Sequence, residues 1–324
     1  MKLPKFVTLK IKRVLNRFIH IKNPFSKYNR LYNKRFDRIL TQEEIRYILA
    51  IQFKFKLNNF SYNLNIDNPK TFNEKIQWLK LYYHDPLMTK CADKIEVREY
   101  IKEIIGEQYL VPCLGVYSSV DEIDFEKLPN KFALKVNWGS NQNIICRDKS
   151  NLNIDEAKIK LSNWLKREKN LYYKYFEWQY KDIKPKIICE QYIDGAEDLR
   201  DYKFFCFNGK YKYLRIISRT KENRISNAGF YDRDLNKMPF VFNTESDFGE
   251  EIPKINNYNK MIDLVEKLAK PFPFVRVDMY EDINKNIYFG ELTFTPGNGT
   301  KAFSLMEWDY KFGEELKLPE EKIL

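Results

Sequence analysis

The segment Phe274–Asn298, FVRVDMYEDINKNIYFGELTFTPGN, decides how this chain is expected to fold. Polar and apolar residues alternate over Phe274–Tyr280 and again over Ile287–Phe294, which is the period of half-buried strands. The polar residues between the two runs are typical of a turn. Pairing the strands through that turn predicts a hairpin in which Asp278 lies beside Glu291.

Two carboxylates on adjacent strands repel each other unless a positive charge lies between them. Mg²⁺ prefers hard oxygen ligands and commonly joins one or two carboxylates to nucleotide phosphates. The pair Asp278 and Glu291 therefore indicates a magnesium site. The alternative is a surface hairpin with scattered charges.

The composition describes a globular chain of one or two domains. It has 324 residues, of which 44% are hydrophobic and 16% aromatic, which is too apolar for a disordered protein. No apolar run is long enough to span a membrane. The N-terminus lacks the apolar core of a signal peptide. These features together predict a cytoplasmic protein.

The cysteines disfavour disulfides and structural zinc. They are five in number, widely spaced and without a CxxC pair, and only His20 and His84 are available as additional zinc ligands. We therefore predict reduced, buried thiols. The residues are Cys91, Cys113, Cys146, Cys189 and Cys206.

The net charge of +11 belongs entirely to the N-terminal arm. Residues 1–40 contain twelve Lys and Arg and one acid, whereas the remaining residues are neutral overall. Apolar residues recur at helical spacing over Val7–Ile19 among basic ones, which predicts a basic amphipathic helix. Such a helix could lie on an anionic membrane surface, pack on its own domain or bind nucleic acid. The neutral remainder disfavours nucleic acid, for which a basic binding face is typical.

Several other segments have clear local signals. Thr-x-x-Glu at Thr41 precedes an apolar-periodic helix, predicted over Thr41–Phe55. Asn208-Gly209 between two alternating runs predicts a second hairpin. Residues 86–105 are expected to form a loop that carries Lys90 and Lys94 and then a helix that ends at Gly106, and residues 220–258 are expected to be mostly loop.

A lysine, Lys135, lies within the apolar strand predicted at Phe132–Val136. A lysine in such a place needs a partner. The following loop, Asn137–Asn143, could fold over a phosphate through its backbone N–H groups. Its one glycine, Gly139, is fewer than a phosphate loop normally has.

Taken in order, these segments resemble the TupA-like branch of the ATP-grasp superfamily, over about Thr71–Asn298. The segments that carry the resemblance are TFNEKIQWLKL, ADKIEVREYI, FALKVNWGSNQNIIC, IICEQYIDG, DYKFFCFNGKYKYLRI and RVDMYEDINKNIYFGELTFTPG. The resemblance implies a mixed α+β fold, with two subdomains that clamp a nucleotide. The arm would occupy residues 1–60 and the ATP-grasp domain 61–324, with subdomains at about 131–192 and 193–312.

The resemblance also implies which residues hold ATP. Lys94 and Lys135 are similar to the lysines that bind the phosphates, and the loop with Gly139 and Ser140 would close over them. The expected hinge at the adenine is Glu190, Gln191 and Tyr192. The ribose contact would be Asp198, with Glu197 as the other candidate.

The metal and catalytic residues follow in the same way. Asp278 and Glu291 match the Mg²⁺ ligands, and Thr293 stands where many relatives have a third ligand, asparagine. Cations for a substrate carboxylate would come from the strands beside them. Arg276 is the first choice for this role, Arg215 and Arg219 are the second, and Lys203 could reach either phosphate or substrate.

The implied reaction is ligation. A carboxylate attacks the γ-phosphate of ATP, and an amine then displaces phosphate from the acyl phosphate. The resemblance suggests a uronic acid or an amino acid, joined in amide linkage within a cell-surface polysaccharide such as a capsule or a teichuronopeptide. The basic arm would then lie on the inner face of the membrane.

Two other functions stay open from the sequence. Asp232-Arg233-Asp234 is formally a DxD motif, which would fit a glycosyltransferase that uses a nucleotide-sugar, although no buried strand is expected before it. Thr293 and the glycine-poor loop would fit a nucleotide-binding module without catalytic activity.

Overall fold

The structure is a computed structural model that describes residues 24–57, 62–193, 201–219, 225–242 and 255–324. The chain divides into two compact units, residues 1–61 and 62–324. No helix in the described ranges is long and apolar enough to cross a membrane.

The first unit contains two described helices, α1 (Pro24–Lys34) and α2 (Gln42–Leu57). Helix α2 begins as the sequence predicts. The Thr41 hydroxyl accepts a hydrogen bond from the Glu44 N–H at 3.2 Å, and the Glu44 carboxylate accepts one from the Thr41 N–H at 3.0 Å. This reciprocal capping satisfies two backbone donors that a helix leaves open. The amphipathic helix predicted at residues 7–19 lies outside the described residues.

The second unit is a mixed α+β structure. Its helices are α3 (Phe72–Tyr82), α4 (Pro86–Ala92), α5 (Val97–Ile104), α6 (Ile154–Trp164), α7 (Leu171–Tyr175), α8 (Tyr258–Ala269) and α9 (Glu307–Glu315). Its strands are β1 (Cys113–Tyr117), β2 (Phe132–Val136), β3 (Asn143–Cys146), β4 (Ile187–Gln191), β5 (Asp201–Phe207), β6 (Lys210–Arg219), β7 (Ile225–Tyr231), β8 (Phe274–Glu281) and β9 (Ile287–Thr293).

The strands form two antiparallel sheets, and the predicted α+β class is confirmed. The first sheet has the order β1-β4-β2-β3 and the second β7-β6-β5-β8-β9. Both predicted hairpins are present in the second sheet. The β5–β6 pair turns at Asn208-Gly209, where both residues have positive φ, and β8–β9 is the hairpin that places Asp278 opposite Glu291.

One local prediction is incomplete and another is wrong. Within the stretch expected to be mostly loop, residues 225–231 form strand β7 at the edge of the second sheet, because pairing with β6 supplies a partner that the local sequence does not reveal. Lys90 lies in helix α4, where Asp85 accepts a hydrogen bond from the Leu87 N–H at 2.8 Å and Pro86 occupies the first helical position. Lys94 does lie between helices, as predicted.

The two faces of the second sheet pack differently. Helix α8 packs on one face, through buried residues such as Val265 and Leu268. The other face carries a cluster of aromatic rings around Phe312 of helix α9, with Tyr213 stacked on it at 4.2 Å between ring centroids. Gly313 lets α9 approach the start of α3, because a Cβ at this position would lie 2.1 Å from the Lys70 carbonyl oxygen.

The cysteines are free thiols, and four of the five are buried as predicted. Cys113 differs, because it lies on the edge strand β1 and is exposed.

Candidate functional site

A row of charged residues crosses the second sheet. Strand pairing places Arg215 opposite Lys203, Lys203 opposite Asp278 and Asp278 opposite Glu291. Residues that pair directly across neighbouring strands share one face of the sheet. Two positive positions therefore adjoin two negative positions on the four strands β6, β5, β8 and β9.

A β-bulge brings Glu291 into this row. The pairing of β8 with β9 shifts between Asp278 and Met279, so that Gly290 is the extra residue. A Cβ at Gly290 would lie 2.6 Å from the Tyr280 ring and 3.0 Å from the Asp278 carbonyl oxygen. The bulge therefore requires glycine, and without it Asp278 would face position 290 and not the carboxylate.

Cations neutralise the two carboxylates. Arg276 donates to both oxygens of Asp278, at 2.6 and 2.7 Å, and to Glu291 Oε1 at 2.7 Å. The Lys203 ammonium also donates to Asp278 and lies 3.2 Å from Asp201. Thr293 donates its hydroxyl hydrogen to Glu291 Oε1 at 3.0 Å.

The two carboxylates differ in environment. Asp278 is fully buried, and burial raises its pKa even though Arg276 and Lys203 oppose the shift. The Glu291 side chain is 38% exposed. Burial would also raise the pKa of Glu291, but Arg276, Lys94 and Lys203 outweigh that effect and lower it to about 2. Glu291 is therefore a carboxylate at every physiological pH.

Next to Glu291 the two sheets line an open cleft. The lining includes three cations, Lys94, Arg98 and Lys135, and the carboxylate of Glu291. The remaining lining is largely apolar or aromatic and includes Val97, Leu110, Val111, Tyr180, Phe289 and Leu292.

Glu190 partners two of the three cations. Its carboxylate lies 2.6 Å from the Lys135 ammonium and 3.2 Å from the Arg98 guanidinium. The predicted need of Lys135 for a partner is thereby met from strand β4, which pairs with β2. Arg98 also donates to the Val111 carbonyl at 2.9 Å.

The third cation, Lys94, is hydrogen-bonded to the loop that was expected to cover the phosphates. Its ammonium donates to the Gly139 carbonyl at 2.9 Å. Burial lowers the pKa of Lys94, while Glu291 acts in the opposite direction. The base of the loop is fixed by Asn137, which is fully buried and donates to Asp93 at 2.8 Å. Trp138 adds a second anchor by donating to the Trp164 carbonyl at 3.2 Å.

A second network of buried hydrogen bonds fixes the chain just after strand β9. The Lys80 ammonium donates to the Asn298 side chain at 2.6 Å and to Gln77 at 2.9 Å. Thr295 donates to Glu177. Asn298 has a φ of 65°, in the left-handed region, between two glycines that also have positive φ. The helix α3 thus fixes the turn that follows the carboxylate strand.

The structure therefore brings several predicted site residues together. Lys94, Lys135, Glu190 and Glu291 line one cleft, and Asp278, Arg276, Lys203 and Thr293 connect to it through Glu291.

Other predicted residues lie elsewhere. Ser140 and Gln191 are exposed, and Tyr192 is half-buried beneath Lys131, with the ammonium 5.8 Å from its ring centroid. Arg215 is buried over the rings of Phe242 and Phe230, at 5.2 and 5.7 Å. Arg219 ends strand β6. Glu197 and Asp198 lie outside the described residues.

Two residues of the site were missed from the sequence. Arg98 lies in the cleft in the first turn of helix α5, four residues after Lys94, and Asp201 lies two residues before Lys203 on the same strand. A spacing of two residues on a strand places side chains on one face, so Asp201 had a usable signal, whereas Lys94 lies before the helix and gave none for Arg98.

The carboxylate pair is suited to a hard cation. Among the described residues, no group of three or more His, Cys, Asp and Glu side chains is arranged to hold a metal ion. Asp278 and Glu291 nevertheless face each other with oxygen donors, which Mg²⁺ prefers. Oxygen Oε2 of Glu291 accepts no hydrogen bond within the ranges that the structure describes. The guanidinium of Arg276 is the cation that now joins the two carboxylates.

The DxD motif has a structural role in its own turn. A buried strand, β7, does precede it, contrary to expectation. The carboxylate of Asp232 accepts hydrogen bonds from the N–H groups of Asp234 and Asn236 at 2.9 and 2.8 Å. Arg233 lies 2.7 Å from Glu266 on helix α8.

Comparison with known proteins places the chain within one family. The sequence model of the family described as TupA-like ATPgrasp matches residues 74–317. No curated protein matches the chain.

Solved structures show only distant likeness. A biotin carboxylase domain of 2-oxoglutarate carboxylase from Hydrogenobacter thermophilus, in complex with MgADP, ADP and bicarbonate, is 16% identical, with 71% of this chain and 47% of that chain covered and a TM-score of 0.41. Biotin carboxylase from Campylobacter jejuni, in complex with βγ-ATP, is 12% identical, with 71% and 48% covered and a TM-score of 0.42.

An N5-carboxyaminoimidazole synthetase from Staphylococcus aureus, complexed with ADP, is 15% identical, with 72% of this chain and 53% of that chain covered and a TM-score of 0.33. The chain thus spans about half the length of these proteins. At these scores the likeness assigns no activity to it.

The two carboxylates are expected to differ in their effect on stability. Asp278→Asn would leave two buried cations without their shared carboxylate and turn an amide N–H₂ toward them, so we expect a loss of about 3–5 kcal/mol in the free energy of unfolding. Glu291→Gln keeps an acceptor for Arg276 at a partly exposed position and should cost about 1 kcal/mol. Urea unfolding of both variants measures the difference, and equal losses would contradict the assigned ion network.

Proposed function

We propose that this chain, which belongs to the TupA-like ATP-grasp family, is an ATP-dependent ligase that joins a carboxylate to an amine through an acyl phosphate. The observation that carries the proposal is the charge arrangement of the cleft. Lys94, Arg98 and Lys135 line the cleft together with Glu291, whose buried neighbour on the paired strand is Asp278.

The cations suit a polyphosphate. Hydrogen bonds between charged groups contribute about 1.5–3 kcal/mol each, and a triphosphate offers acceptors for all three side chains. Glu190 balances Lys135 and Arg98 in the absence of a ligand, which makes the buried cations tolerable. Apolar residues such as Val97, Leu110 and Val111 offer a surface for a base.

Asp278 and Glu291 would hold Mg²⁺, which would neutralise negative charge on the phosphates when bound. Thr293 would act on this site indirectly, because its hydroxyl fixes the orientation of Glu291. This role differs from that of a direct third ligand.

The chain's own cations would orient the reacting groups. A substrate carboxylate oxygen attacks the γ-phosphorus of ATP, the bond to the β-phosphate oxygen breaks, and ADP leaves. The amine nitrogen then attacks the acyl carbon, phosphate leaves, and the amine gives up a proton to solvent. Arg276 and Lys203 lie beside Glu291 and Asp278 and are our candidates to hold the carboxylate. Arg215 and Arg219 stay second candidates.

The proposed substrates are a uronic acid or an amino acid and an amine within cell-surface polysaccharide biosynthesis. Family membership supports this proposal. The excess positive charge of residues 1–40 is consistent with an inner membrane surface, where lipid-linked precursors are built.

ATP with Mg²⁺ should stabilise the fold. A ligand at a hundred times its dissociation constant adds about 2.7 kcal/mol to the free energy of unfolding. We therefore expect a Mg²⁺-dependent rise in melting temperature with ATP, and a much smaller rise for Glu291→Gln, which loses a metal carboxylate. Differential scanning fluorimetry measures both. A rise with UDP-sugars and none with ATP would replace the ligase by a glycosyltransferase.

Acyl phosphate formation is testable with hydroxylamine as the amine. With ATP and Mg²⁺, a panel of glucuronate, galacturonate and glutamate should yield a hydroxamate from at least one member, with one ADP for each hydroxamate. The ferric hydroxamate colour and a coupled ADP assay measure the two products. If ATP binds and no member reacts, these carboxylate classes are wrong, although the nucleotide site stands.

The arm should govern binding to anionic membranes. Deletion of residues 1–40 removes a net charge of +11, and each basic residue near an anionic surface contributes about 1 kcal/mol. We expect the full chain to float with vesicles of phosphatidylglycerol and phosphatidylcholine, and the shortened chain to stay at the bottom of the gradient. Equal flotation of the two chains would exclude the arm as the membrane contact.

A further inference from the structure

Arg276 occupies the position that a divalent cation would need. Its guanidinium bridges the two facing carboxylates, with three hydrogen bonds of 2.6–2.7 Å to Asp278 and Glu291. The same carboxylates are the hard oxygen donors of the hairpin. A cation between them is therefore required in any state, because two facing carboxylates repel each other, and in this structure the protein provides it.

The two facing carboxylates already have two cations as partners. Arg276 and Lys203 carry two positive charges, against the negative charges of Asp278, Glu291 and Asp201. A divalent ion between Asp278 and Glu291 would lie where the Arg276 guanidinium now joins these two carboxylates. It would therefore bind more tightly if Arg276 withdrew.

Arg276 is the cation that can withdraw. Lys203 is buried on strand β5 in the middle of the sheet, between Asp201 and Asp278. Arg276 also reaches outward, to Glu291, whose side chain is 38% exposed and lines the cleft. The long arginine side chain has several rotamers, and its displacement from Glu291 would turn it toward that cleft.

We propose that Arg276 is an internal counterion that competes with the divalent metal for Asp278 and Glu291. Metal entry releases the guanidinium, which then becomes available to an anionic substrate. Competition with the metal follows from the ion network alone. The second step rests on the proposed ligase function, and it makes the binding order compulsory, with metal and nucleotide before the carboxylate substrate.

Competition predicts that removing Arg276 strengthens metal binding, whereas removing an ordinary metal-binding residue weakens it. The probe is Mn²⁺ alone, without nucleotide, counted as free ion by electron paramagnetic resonance. Arg276→Gln removes the competing charge, and we expect it to bind Mn²⁺ about tenfold more tightly than the wild type, since the charged hydrogen bonds no longer have to break. An affinity equal to or weaker than that of the wild type would overturn the proposal.

Two control variants test whether the gain in Mn²⁺ affinity comes from direct competition at Glu291 and Asp278. Arg98→Gln removes one positive charge from another arginine–carboxylate pair of the same cleft, and its Mn²⁺ affinity should change less than twofold. Glu291→Gln combined with Arg276→Gln should abolish the gain. A gain in Arg98→Gln as large as that in Arg276→Gln, or a gain that survives the double change, would contradict direct competition.

Folding is checked by circular dichroism for each variant. If Arg276→Gln does not fold, Arg276→Lys keeps the charge but cannot donate to both carboxylates with a planar fork. It should bind Mn²⁺ several-fold more tightly than the wild type, and no gain would overturn the proposal. Stabilisation of the wild type by ATP and Mg²⁺ without any gain in these variants would reject the competition and retain the proposed function.

Discussion

The repulsion between Asp278 and Glu291 is the constraint on which the site depends. The β8–β9 hairpin places the two carboxylates opposite each other, and the bulge at Gly290 makes this register hold. A buried carboxylate without a partner would be costly. The strands therefore carry their own counterions, Arg276 on β8 and Lys203 on β5.

The cleft obeys the same rule for positive charges, because cations that lie close together also need a partner of opposite charge. Lys135 and Arg98 would repel each other and lose hydration at their half-buried positions, and Glu190 on the neighbouring strand β4 pairs with both. With Lys94 the cleft lining carries three cations against the carboxylates of Glu190 and Glu291, so positive charge remains for an anionic ligand. A ligand with both phosphate oxygens and a metal ion could exchange for Glu190 on one side and for Arg276 on the other, so that binding rearranges ion pairs without creating new buried charge.

The sequence was most informative where local geometry decides the structure. Alternation of residues along Phe274–Tyr280 predicted a strand and its face, and the partner required by Lys135 was found in Glu190. It was least informative where the structure depends on a partner that is distant along the chain. Strand β7 exists because β6 offers an edge to pair with, and the role of Arg98 depends on Glu190, which approaches it only in the folded chain.

The sequence by itself determined the antiparallel hairpins and the pairing of Asp278 with Glu291, because alternation and turn residues act over short distances, and the family resemblance that it carries implied the α+β class. Only the tertiary structure decided which cations reach these carboxylates. It placed Arg276 between them, turned Arg215 onto the rings of Phe230 and Phe242, and joined Lys94 to the Gly139 carbonyl. Long basic side chains have many rotamers, and their choice among several acids depends on the packing around them.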